Sequence, residues 1–100
     1  MFDKSIEYGD QIQTIKLKGD LDIYAEDDFK SFISENLDID NDVVFDLAEL
    51  DYLDSTGLGM FMNVYNDQKN NGKTVKIINV KDNIYKLFKI TDLTGLFDME

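Results

Sequence analysis

Six consecutive residues, Asp54-Ser55-Thr56-Gly57-Leu58-Gly59, bring a carboxylate, two hydroxyls and two glycines to one place in the chain. Ser55 stands where an amphipathic helix is expected to begin, which gives its hydroxyl two uses. As an N-cap it accepts an N–H from the first helical turn, a contribution of about 1 kcal/mol. As a phosphoacceptor it carries a dianion at a helix N-terminus, where free amides and the dipole favour negative charge. A phosphate there leaves the helix intact and changes what can dock against it. Thr56 offers a second hydroxyl. Gly57 and Gly59 each weaken a helix by roughly 1 kcal/mol relative to Ala. A helix start tolerates that where a backbone comes close, either to the domain's own sheet or to another molecule. Leu58, Met60 and Met62 add more apolar surface than one buried stripe requires. Each methionine fits a core position, and one left exposed supplies an adaptable surface for a partner helix.

What is missing argues against catalysis by Ser55 itself, leaving only carboxylate- or Lys-based chemistry open to the chain. The 100 residues contain no His and no Cys, so there is no imidazole base, no Ser-His-Asp triad and no thiolate. The serine also lacks the preceding glycine of a G-x-S-x-G elbow. Asp54-Ser55-Thr56-Gly57 has one residue too many for the D-[ST]-G triplet of aspartic proteases. Asp38, Asp40, Asp42 and Glu49 share the spacing of positions 1, 3, 5 and 12 in a calcium loop. Position 6, which needs glycine for the turn, is Val43. No cofactor and no metal site is expected.

Ten basic against 21 acidic residues leave a formal charge of −11. That sign opposes nucleic-acid binding, which relies on cations displacing phosphate counterions. It equally disfavours an anionic membrane surface. It suits solubility and steering toward a basic protein partner. No apolar run approaches the roughly 20 residues of a membrane span. Met1-Phe2-Asp3-Lys4 lacks the apolar segment of a signal peptide. A cytoplasmic location is expected.

The positioning elements follow from periodicity. Phe2–Tyr8 reads as a strand, Gly9-Asp10 as a hairpin turn, and Gln11–Lys18 as a second strand with Ile15 and Leu17 on one face. Gly19-Asp20-Leu21-Asp22 breaks that pattern. Ala25, Phe29, Phe32, Ile33 and Leu37 recur at helical spacing, so Ala25–Leu37 is an expected helix with three acids in its first turn. Val43-Val44-Phe45 is a short buried strand. A second helix runs from Thr56 to about Asn70, with Gly72 just past its end. Val75–Val80 is a strand, Asp82 caps a third helix, and Thr94-Gly95 turns into a last strand near Leu96–Met99. The order from residue 11 is β-α-β-α-β-α-β, which specifies an α/β domain with a mostly parallel sheet. The loops Gly19–Tyr24 and Glu49–Thr56 then open at one carboxyl edge, where open α/β sheets usually meet ligands and partners.

Three segments, in order, resemble those of STAS-domain anti-sigma factor antagonists of the general-stress and sporulation type. Gly19-Asp20-Leu21-Asp22 is similar to the family's G-[ED]-[LI]-D loop. Tyr52-Leu53-Asp54-Ser55-Thr56-Gly57-Leu58-Gly59 is similar to its phosphorylation-site segment. Leu87-Phe88-Lys89-Ile90-Thr91 is similar to its L-F-x-I-T stretch. Asp92 departs from the pattern, standing where many relatives carry Gly, and no terminal helix is expected after the last strand. The resemblance implies one STAS domain over residues 1–100, with helices on a mostly parallel sheet and an N-terminal hairpin strand. It implies a non-enzymatic partner switch. The unphosphorylated protein binds an anti-sigma factor that is also a GHKL-type serine kinase, which releases the sigma factor. Phosphorylation of Ser55 dissolves the complex, and a PP2C-type phosphatase restores it. The implied partner-binding residues are Asp20, Asp22, Ile23, Tyr24, Asp54, Thr56, Gly57, Leu58, Gly59 and Met62. Neither nucleic acid nor membrane is an implied partner. A rival reading is a STAS module that serves as a non-switching scaffold subunit in a signalling or transport complex.

Overall fold

The structure, a computed structural model, describes residues 1–99. Strand β1 (Phe2–Tyr8) and β2 (Ile12–Leu21) form the expected hairpin. A single 3₁₀ turn (Ile23–Ala25) leads into helix α1 (Glu26–Asn36). Then follow β3 (Asp42–Leu53), α2 (Ser55–Asn70), β4 (Val75–Ile78), α3 (Asp82–Ile90) and β5 (Asp98–Met99). The sheet order is β1-β2-β3-β4-β5, antiparallel between β1 and β2 and parallel elsewhere. Right-handed crossovers in that order stack all three helices on one face. Burial alternates to match. Gln13, Ile15 and Leu17 point under the helices, and Ile12, Lys16 and Lys18 stay exposed.

The core is a relay of phenylalanines. Phe29 of α1 lies 6.4 Å from Phe45 of β3, which lies 4.8 Å from Phe61 of α2. Phe61 reaches Phe88 of α3 at 5.8 Å, and Phe88 reaches Phe97 at 5.6 Å. One aromatic from each layer thus ties every helix to the central strand, with the burial of each ring removing large apolar area from water.

The hairpin turn falls one residue later than expected. Gly9 N–H bonds the Ile12 carbonyl at 2.8 Å, so Asp10 and Gln11 are the central pair, and Gln11 takes the positive φ of 63°. Strand β2 does not stop at Lys18. Gly19 turns through φ 86°, where a Cβ would strike the Met1 carbonyl, and the strand continues through Asp20 to Leu21. Strand β3 likewise runs on to Leu53, so the expected Glu49–Thr56 loop shrinks to Asp54 alone. The third helix is not capped by Asp82, which is its first residue; Lys81 precedes it with no capping side chain.

Helices α2 and α3 end alike. Lys73 N–H reaches back to Gln68 O at 2.8 Å, and Leu93 N–H to Phe88 O at 2.9 Å. Gly72 and Asp92 occupy the left-handed position between, at φ 73° and 61°. Asp92 therefore performs the turn that glycine makes more easily, which resolves the departure seen in the sequence.

Candidate functional site

Leu21 and Leu53 are register partners at the carboxyl ends of β2 and β3, so the next residues, Asp22 and Asp54, emerge side by side. Each caps the helical segment that follows. The Asp22 carboxylate accepts from Tyr24 N–H at 3.0 Å, and the Asp54 carboxylate from Gly57 N–H at 3.0 Å. Both caps have extended backbone, φ −126° and −112°. Two aspartates thus hold two chain reversals at one edge of the sheet.

This arrangement leaves the Ser55 hydroxyl out of the capping role. Asp54, not Ser55, supplies the capping oxygen of α2. Ser55 is the first helical residue and is exposed. Its own amide and that of Thr56 lie ahead of the intrahelical ladder. The first turn of α2 is pressed onto the sheet through Gly57, where a Cβ would lie 2.5 Å from the Leu21 carbonyl oxygen. Ser55 is thereby set beside the Asp22–Tyr24 turn.

The remaining expected site residues divide by exposure. Ile23 is 61 % and Tyr24 93 % exposed, two large apolar side chains left without cover. Asp20, Asp22, Asp54 and Thr56 are partly exposed. Gly57 and Leu58 are buried, and Met62 is half-buried against the core. Met60 is buried, so of the two methionines only Met62 reaches the surface. Gly59 is exposed, and a Cβ there meets nothing within 4 Å. Its lack of a side chain has no use inside the domain. Tyr52 was not among the expected site residues. It pairs with Asp20 across the strands and is half exposed, adding a third apolar side chain to this edge. Its position next to the serine segment was the signal.

The calcium-like spacing is used otherwise. Asp38 accepts from Asp40 N–H and Asp42 from Thr74 N–H, both at 2.9 Å, while Glu49 pairs with Lys18 at 3.6 Å. Among the described residues no group of three or more acids, His or Cys is placed to hold a metal ion.

A matching family model, that of the STAS domain, spans residues 4–100. The chain belongs to the STAS domain family. This STAS domain is 33 % identical over 88 residues to the anti-sigma-B factor antagonist of Staphylococcus aureus (strain NCTC 8325 / PS 47), covering 87 % of the chain and 82 % of that relative. Its fold matches a Thermotoga maritima protein described as a putative anti-sigma factor antagonist, with TM-score 0.88, 15 % identity, and coverage of 96 % of this chain and 84 % of the other. It also matches the unphosphorylated form of the anti-sigma factor antagonist SpoIIAA, with TM-score 0.82, 18 % identity, and coverage of 98 % and 88 %. SpoIIAA, a Bacillus cell-fate determinant, is known in a phosphorylated form as well. No described helix of this STAS domain is long and apolar enough to cross a membrane.

Two predictions concern how this edge is held. Asp54→Ala is expected to lower unfolding stability by about 1 kcal/mol through loss of the cap. Asp54→Asn, which caps equally well, should stay within a few tenths, as urea denaturation of both variants will show. Asp51, three residues upstream, is held below the usual carboxylate range by a hydrogen bond from Lys81 and then by that lysine's charge, against desolvation, with Lys18 the smallest contribution. The Lys81 ammonium lies 2.5 Å from its oxygen and joins β3 to α3. A carboxylate whose pKa is depressed on folding stabilises above its unfolded value, here 3.8, and loses that contribution as pH falls through the folded value. The urea midpoint of Lys81→Met should therefore sit slightly below the parent's at pH 7 and converge with it in acid below pH 3.8 and in high salt. A gap that persists in acid would mean that Lys81 acts through packing.

Proposed function

We propose that this protein is an anti-sigma factor antagonist whose unphosphorylated form captures an anti-sigma factor with serine-kinase activity, and whose phosphorylation on Ser55 by that kinase ends the capture. A PP2C-type phosphatase resets it. The protein is the substrate in this cycle and performs no catalysis. One observation carries the reading: the Ser55 hydroxyl is exposed and relieved of capping by Asp54, on the same edge as the uncovered Ile23 and Tyr24. The names of its relatives support the antagonist role, and the phosphorylated form of SpoIIAA supports a modification in this fold.

The edge suggests what the partner offers. Ile23, Tyr24 and Tyr52 want an apolar recess, and Asp20, Asp22 and Asp54 want basic groups around it. Incubation with the cognate kinase and ATP should add one phosphate, located by fragment mass analysis to Ser55. Failure to gain it, with binding intact, would replace the switch by a permanent scaffold role.

A further inference from the structure

The second half of β3 follows an irregular course that side chains far from Ser55 hold in place. Lys16 is in register with Asp46 and Lys18 with Glu49, so Leu47 and Ala48 stand against Leu17 alone. Gly19 is in register with Leu50 and Asp20 with Tyr52, which makes Asp51 a second extra residue. A bulge leaves its added residue out of the ladder, and that residue's polar groups need other partners. At the first bulge the partner is one carboxylate oxygen. Asp46 Oδ1 accepts the Ala48 N–H at 3.1 Å and the Asn79 side-chain amide, also at 3.1 Å. Asn79 directly follows β4, whose last residue Ile78 is in register with Asp46, and it takes a left-handed φ of 57°. At the second bulge Asn83 Nδ2 donates to the Asp51 carbonyl at 3.1 Å, beside the Lys81 contact to the Asp51 carboxylate. Side chains of Asn79, Lys81 and Asn83 thus grip both bulges.

We propose that Asp46 is a positioning residue for the Ser55 switch: as the acceptor that fixes the first bulge, it delivers Leu53, Asp54 and Ser55 to their place beside Leu21 and Asp22. The phase of the strand shows why. Leu47, Leu50 and Leu53 are all buried, three apart, and only an extra residue in each interval lets all three point under the helices. A one-residue slip at the first bulge would turn Leu50 and Leu53 to the open face of the sheet. Loss of the acceptor therefore loosens this half-strand rather than re-registering it, and the loosened stretch ends at Asp54. Asp46 acts as an acceptor, not as a charge, because the lysines across β2 are engaged elsewhere: Lys16 lies 3.5 Å from Glu7 and Lys18 3.6 Å from Glu49. Asp46 stands eight residues before Asp54, roughly 25 Å at about 3.3 Å per residue, so its effect on Ser55 passes through the backbone. The functional half of this proposal rests on the reading of Ser55 as the switch.

The test compares the full chain carrying Asp46→Ala, Asp46→Asn or Asn79→Gly with the parent, by amide hydrogen exchange and by nuclear Overhauser contacts between Leu21 and Leu53. Asparagine keeps the acceptor oxygen and removes the charge. Glycine keeps the left-handed backbone and removes the donor. Asp46→Ala should raise exchange at Ala48 and at Leu50–Leu53 about tenfold, the scale of one hydrogen bond, and weaken the contact between Leu21 and Leu53. Asp46→Asn should match the parent. Asn79→Gly should give a smaller rise at the same amides, and it decides alone if the alanine variant does not fold. Capture of the proposed kinase partner, and phosphate transfer to Ser55, should fall in the same order. Failure of the parent itself to take phosphate would overturn the Ser55 reading and leave the exchange result standing. Exchange at Ala48 that neither Asp46→Ala nor Asn79→Gly raises, asparagine as damaging as alanine, or capture at the parent's level by an alanine variant with a loosened edge would each overturn the proposal.

Discussion

Ser55→Ala is expected to retain the proposed kinase partner in the presence of ATP, under conditions in which the parent protein should be released. The physical basis is the crowding of negative charge at one edge. Asp54 cannot swing away from a phosphate on Ser55, because its carboxylate is held by the Gly57 amide at 3.0 Å. Asp22 is fixed in the same way by Tyr24 N–H, on the neighbouring strand end. A phosphate adds about −1.5 to −2 charges. Two unit charges about 4 Å apart repel by roughly 1 kcal/mol in water and 4 kcal/mol at an effective dielectric of 20. Docking a partner takes this edge from the first condition toward the second. The affinity loss is therefore expected between tenfold and a thousandfold. Ser55→Glu should show a smaller loss, since one carboxylate has a single charge and shorter reach. Because Ser55 is exposed and caps nothing, Ala should leave stability within about 0.5 kcal/mol, so the binding result is not a folding artefact. Pull-down with and without ATP, followed by calorimetric titration, reads both variants. If Ala and Glu both released the partner as the parent does, the switching group would lie elsewhere.

The alternation of strands and helices was legible because the apolar spacing of each element is regular: two-residue in Ile15 and Leu17, helical in Phe29 and Ile33. The second half of β3 was not. Its register slips against β2, where Lys16 and Lys18 pair with Asp46 and Glu49, and Gly19 and Asp20 with Leu50 and Tyr52. Each slip inserts one extra residue in β3. The buried residues consequently fall at Leu47, Leu50 and Leu53, three apart. That period fits neither a strand nor a helix, so a bulged strand reads as loop. The two bulges also bring Leu53 level with Leu21, and so place Asp54 beside Asp22. The site's composition was therefore readable from the motif, but its juxtaposition depended on backbone irregularities that leave no periodic trace. The cap was ambiguous for a different reason: Asp54 and Ser55 are adjacent and both cap well, and only the point where β3 ends decides between them.

Gly57→Ala and Gly59→Ala should move stability in opposite directions, although the residues are two apart on one helix. At Gly57 a Cβ would sit 2.3 Å from Leu53 Cδ1 and 2.5 Å from the Leu21 carbonyl oxygen. The leucine methyl can shift, but the carbonyl belongs to the sheet. The strain must lift the first turn of α2, against only about 1 kcal/mol gained from the better helix former. A net loss of about 2 kcal/mol follows, within the range for overpacked sites. The same lift would separate Ser55 from the Asp22–Tyr24 turn, so partner binding should fall with stability. At Gly59 a Cβ meets nothing within 4 Å, and Ala should stabilise by up to about 1 kcal/mol. For a domain of this size that is a rise of roughly 4 °C in Tm, against a fall near 8 °C for Gly57→Ala. The informative quantity is what Gly59→Ala does to binding. If the bare backbone there exists so that a partner can approach it, affinity falls at least severalfold while Tm rises, a combination that no folding defect can produce. Thermal unfolding and titration with the unphosphorylated protein give both readings. Unchanged affinity would remove Gly59 from the partner surface and confine contact to Ser55, the Asp22–Tyr24 turn and Tyr52.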